Sequence, residues 1–118
     1  MTPKETAHIA VKALDEKKGE NITLIKTEKI TVVADYFVIV NGNSNTHVKS
    51  LADEAEYALS QAGIEANHIE GKATGWILLD YGSVMIHIFT PEAREYYNLE
   101  KLWADGESVD ISSLISEN

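Results

Sequence analysis

Apolar positions along the chain recur at two periods, and the switches between them mark out its elements. Ala7, Ala10, Val11 and Leu14 recur at helical spacing. They follow Thr2-Pro3-Lys4-Glu5, a capping box with proline at the first helical position. Gly19 is placed to end this helix. Residues 22–25 read as a strand. Residues 35–40, Asp-Tyr-Phe-Val-Ile-Val, read as a more buried one, rich in aromatic and β-branched side chains. Asn41-Gly42-Asn43-Ser44-Asn45 is a turn followed by helix-capping residues. A second helix is expected over about residues 46–62. Val48, Leu51, Ala52, Ala55, Leu59 and Ala62 line one face of it, and Gly63 stops it. His68-Ile69-Glu70 is a short strand candidate, and 71–75 is a loop. Residues 76–80 and 84–89 alternate as a hairpin around Tyr81-Gly82. Thr90-Pro91 starts a short helix, and Asn98 caps another that runs through Trp103. Beyond Asp105 charge and serine rise while aromatics vanish. Residues 106–118 are therefore expected to be an acidic, flexible tail behind a single domain at 1–105.

This order predicts an α/β (α+β) domain with a mixed five-stranded sheet. Its two main helices share one face, and short C-terminal helices follow. Alternation divides the hairpin. Ile77, Leu79, Val84, Ile86 and Ile88 form a purely aliphatic set suited to a core beneath helices. Trp76, Leu78, Asp80, Met85, His87 and Phe89 point the other way. That mixture suits a protein-docking face, with aromatic and Met anchors for area and a few polar atoms for orientation. It equally suits a second core, covered by terminal helices that carry Tyr96, Tyr97, Leu99, Leu102 and Trp103.

A chain of 118 residues without cysteine fits one domain and excludes disulfides and thiolate zinc sites. No apolar run approaches the roughly 20 residues of a membrane span. The polar start lacks the apolar segment of a secretory signal. The expected location is cytoplasmic. The net charge of −9 disfavours direct nucleic-acid contact. It suits a basic partner, or it serves only solubility.

Candidate chemistry is thin. There is no Gly-x-Ser-x-Gly elbow, and Ser44 reads as a helix cap. Neither phosphate-binding glycine pattern occurs. His68 and Glu70 share one strand face and His87 could lie near them, but these are three scattered candidates with no visible partner to orient them as ligands. The expectation is no metal, no cofactor and no catalytic residue. The enzyme alternative would be a nucleotidyltransferase or a metal-dependent hydrolase using Asp35, Ser44, Glu70 and His87.

Several blocks in one order carry a family resemblance. They are Asp35-Tyr36-Phe37-Val38-Ile39, Gly42-Asn43-Ser44, Glu70-Gly71, Trp76-x-x-x-Asp80-Tyr81-Gly82, Val84-x-x-His87-Ile88-Phe89 and Arg94-x-Tyr96-Tyr97-x-Leu99-Glu100-x-Leu102-Trp103. Together they resemble the Iojap family, whose bacterial members are called ribosomal silencing factor S. The resemblance implies a nucleotidyltransferase-like scaffold. The paired acidic residues of those enzymes have no counterpart here, where Asn67-His68-Ile69-Glu70 follows the second helix. It also implies docking on large-subunit ribosomal protein L-fourteen. That docking blocks association with the small subunit and represses translation under nutrient limitation. The alternative is a large-subunit assembly factor. Expected partner contacts are Glu70, Trp76, Leu78, Asp80, Met85 and His87, with Glu100 and Trp103 at the edge. An open apolar face could also pair two free copies as a homodimer.

Overall fold

The capping box sets the first helix. In the computed structural model, which describes residues 2–29, 31–71, 75–102 and 104–115, α1 spans Pro3–Glu16. Thr2 Oγ1 accepts the Glu5 N–H at 3.1 Å, and Glu5 Oε1 accepts the Thr2 N–H at 3.0 Å. Two groups that a helix start leaves unpaired are thereby satisfied. The end of α1 departs from expectation. The left-handed residue is Lys18, at φ 62°. Gly19 serves close approach instead: a Cβ there would meet Val40 Cγ2 at 2.7 Å.

The chain continues through β1 (Glu20–Lys26), β2 (Tyr36–Asn41) and α2 (Asn45–Gln61). Then come β3 (His68–Glu70), β4 (Trp76–Asp80), β5 (Val84–Phe89), α3 (Pro91–Tyr97), α4 (Leu99–Leu102) and β6 (Glu107–Val109). Ser44 caps α2 by accepting the His47 N–H at 3.1 Å, and Thr90 caps α3 through the Ala93 N–H at 3.3 Å. Both caps are the residues their sequence context indicates.

The sheet is mixed, in the order β3-β4-β5-β2-β1-β6. Its centre is the parallel pair β2–β5, with Val38 opposite Ile86, and the other pairings are antiparallel. The helix α2 lies within the crossover that a parallel pair requires. The strand count is six and not five. The sixth strand lies in the stretch expected as a loose tail, where Val109 pairs with Leu24 and Glu107 with Lys26. Ile111 beyond it is buried against the main core. Glu-Ser-Val carries too few apolar residues to declare a strand, and its conformation comes from the β1 border it joins.

Helices α1 and α2 pack on one face of the sheet. Ala7, Ala10, Val11 and Leu14 of α1 and Val48, Leu51, Ala55 and Leu59 of α2 meet Val38, Val40, Leu79, Ile86 and Ile88 of the strands. All of these are buried, Val48 at 2% exposure and the rest at 0%. Each buried Val, Leu or Ile among them contributes about 1.5–3 kcal/mol, and each alanine less. The opposite face holds a smaller cluster of Ile25, Ala34, Phe37, Ile39 and Phe89. Ala93 of α3 and Leu99 of α4 reach over part of it. Among the described residues, no helix is long and apolar enough to cross a membrane.

Candidate functional site: the half-covered sheet face

Register sets the rows of side chains on this second face. Trp76 pairs with Phe89, which pairs with Asn41. Leu78 pairs with His87, and His87 with Ile39. Asp80 pairs with Met85, and Met85 with Phe37. On the border strand Glu70 lies beside Leu78 and His68 beside Asp80. Depth changes along each row. Phe37, Ile39, His87 and Phe89 are buried. Trp76, Leu78, Asp80 and Met85 are half-buried, and His68 and Glu70 are exposed. A second core exists on this face, and Trp76, Leu78 and Met85 around it are half-buried.

An aromatic stack fixes the covered end. Trp76 lies 4.5 Å from Tyr97 and 5.2 Å from Phe89, centroid to centroid. His87 lies 5.0 Å from Phe37 and 5.8 Å from Trp76. The Trp76 indole N–H donates to His87 Nδ1 at 3.2 Å. An indole only donates, so Nδ1 is unprotonated and the neutral imidazole carries its proton on Nε2. Among the described residues Nε2 has no partner. Burial pushes the imidazole pKa down from 6.5 to about 4, because a charged ring would lose its hydration there.

Arg94 is the residue that sequence reading quoted in a motif but gave no role. Its side chain is 11% exposed. It donates to Glu100 Oε2 at 2.7 and 3.0 Å, to Asn41 Oδ1 at 2.9 Å, to Thr23 Oγ1 at 3.0 Å and to the Asn21 carbonyl. Asn21 sits at φ 52° where the register of β1 against β2 shifts. The planar fork thus ties α3 and α4 to an irregular stretch of β1. A signal was present in the sequence, an arginine between acidic residues on a short helix, but apart from Glu100 its partners lie 53 to 73 residues away.

The expected contact residues fall into three groups. Glu70, Trp76, Leu78, Asp80 and Met85 reach the surface of one face. Asp80 has a second task, since its Oδ1 accepts the Gly82 N–H at 2.8 Å and braces the hairpin loop. His87 lies beneath the surface at 6% exposure, and Glu100 is held by Arg94. Trp103 and the side chain of Leu102 lie outside the described residues. Tyr96 is 82% exposed and packs edge-on against Tyr97 instead of covering the face.

The residues of the enzyme alternative are not brought together. Asp35 precedes β2 and Ser44 follows it, so they lie at opposite ends of a strand roughly 20 Å long. Ser44 is occupied as a cap, and His87 faces away from the α1–α2 layer. His68 and Glu70 are exposed while His87 is buried. Among the described residues no group of three or more His, Asp or Glu side chains is arranged to hold a metal ion.

These features define a small mixed-sheet α+β protein with one helix-backed face and one half-covered face. The family model described as "Ribosomal silencing factor during starvation" matches residues 1–118, and the chain belongs to that family. A relative from Halalkalibacterium halodurans, "Ribosomal silencing factor RsfS", is 38% identical over 117 residues, covering 98% of this chain and 100% of that one. A crystal structure of a Chromobacterium violaceum protein superposes with a TM-score of 0.86 at 33% identity, covering 95% of this chain and 93% of that one. The mouse "Mitochondrial assembly of ribosomal large subunit protein 1" is 34% identical over 97 residues, covering 79% of this chain and 42% of that protein.

Proposed function

We propose that this chain represses translation by docking on the large ribosomal subunit through its half-covered sheet face, at ribosomal protein L-fourteen. The bound protein occupies the space the small subunit needs. No bond is made or broken, so the reading assigns no catalytic residue and no cofactor. The observation that carries it is the patch itself. Trp76, Leu78 and Met85 are left half-covered in a row-ordered sheet, and Glu70 and Asp80 border them. Aromatic and thioether anchors with a polar border are what a docking surface carries. The net charge of −9 favours encounter with a basic ribosomal protein. Membership in a family described as silencing ribosomes during starvation supports the same reading.

Trp76→Ala tests it. Truncating a central aromatic anchor is expected to weaken binding by about 2 kcal/mol or more, roughly thirtyfold. Co-sedimentation with purified large subunits measures this. Wild-type affinity in the variant would remove the face from consideration. A second reading, assistance in large-subunit assembly, is favoured by the printed name of the mouse relative. Depletion followed by sucrose-gradient profiling separates the two. Immature large subunits indicate assembly, whereas excess joined subunits under starvation indicate silencing.

A further inference from the structure

We propose that His87 is a positioning residue for docking: its Nδ1 accepts the Trp76 indole N–H and fixes the orientation in which the indole is offered to the partner. The inference rests on the docking reading above. Trp76 is half-buried on this face, and the groups beneath the indole contribute to its setting. Phe89 at 5.2 Å and Tyr97 at 4.5 Å supply packing, which is non-directional and tolerates small changes in χ1 and χ2. The bond to His87 at 3.2 Å removes that freedom. It also engages the one polar atom of the indole inside the protein. A partner that covers Trp76 then strands no donor and meets hydrocarbon, which avoids the cost of an unmade hydrogen bond. Ordering the anchor before contact lowers the entropy lost on binding.

The acceptor role requires an unprotonated Nδ1. His87 is buried among Phe37, Trp76 and Phe89, and its pairing neighbours on the adjacent strands are Leu78 and Ile39. None of these carries charge, and burial keeps the ring neutral well below physiological pH.

Two substitutions separate the bond from the packing. His87→Phe keeps a ring and removes the acceptor. His87→Asn removes the ring and places a carbonyl oxygen near the position of Nδ1. Two readouts apply: solvent-exchange protection of the Trp76 indole proton by NMR, and affinity for purified large subunits. The Phe variant is expected to lose the protection and to bind about threefold to tenfold more weakly. The Asn variant is expected to restore protection and to bind within about twofold of wild type. Wild-type binding by the Phe variant with protection lost overturns the proposal. So does an Asn variant that keeps protection yet binds as weakly as Phe. If the Phe variant does not fold, the Asn result and an unprotected wild-type indole proton remain able to refute it. Unchanged binding by Trp76→Ala would instead refute the docking reading. Weakened binding by Trp76→Ala with none in the Phe variant refutes the positioning role alone.

Discussion

Acidification is expected to weaken this fold through one imidazole. Burial beneath Phe37, Trp76 and Phe89 holds His87 at a pKa of about 4 in the folded protein, against 6.5 for a free side chain. Between those values the unfolded chain binds the proton and the folded chain does not. Stability therefore falls as pH drops through that window and is unaffected above it. Integrated over the window, the loss is negligible at about pH 7.5, reaches about 2 kcal/mol at about pH 5 and approaches about 3 kcal/mol near pH 4. Glu5 and Asp110 have pKa values lowered by hydrogen bonds from Thr2 and Ser112, so they lose stabilisation in acid as well. A control must keep those two and remove only the imidazole, which His87→Phe does. Urea unfolding of both proteins at a series of pH values gives the measurement. Wild type should lose about 2 kcal/mol more than the variant between about pH 7.5 and pH 5. Parallel curves would show that the folded imidazole titrates near its ordinary value, and the burial argument would fail.

Other perturbations test other parts of the fold. Arg94→Ala leaves Glu100, Asn41 and the Asn21 carbonyl without their shared donor, and is expected to cost about 3 kcal/mol in urea unfolding. Arg94→Lys should recover less than half of that, because an ammonium cannot reproduce the fork. Gly71 sits at φ +86° with a built Cβ only 1.9 Å from the Trp76 carbonyl oxygen. Gly71→Ala should therefore appear mainly in the insoluble fraction on expression, and a soluble variant with wild-type melting would contradict the geometry. Ending the chain at Asp105 removes β6 and the buried Ile111. That truncation should cost about 2 kcal/mol or more, seen as a lower melting temperature, and an unchanged melt would show the segment to be dispensable.

The sequence carried the faces of this sheet better than their depth. Alternation separates Val84, Ile86 and Ile88 from Met85, His87 and Phe89, because successive strand side chains point opposite ways. The structure keeps that division, with the first set packed beneath the helices. Alternation is silent on what lies above a face. His87 and Met85 share one, yet His87 is buried and Met85 half-exposed. That difference follows from rings contributed by β2 and β4, which the local pattern around His87 does not contain. The caps at Thr2, Ser44 and Thr90 were legible because each bond spans only three residues. Arg94 and β6 were not. Their conformations are settled by Asn21, Asn41 and Leu24, distant in sequence and brought near only by the completed sheet.

The two outermost strands, β3 and β6, are three residues long. A strand border is a generic reader: any extended peptide can hydrogen-bond to it, whatever its side chains. A sheet face is a selective one, because it accepts only a surface of matching shape. With its borders cut this short, the molecule offers little to a nascent or misfolded chain in search of a template.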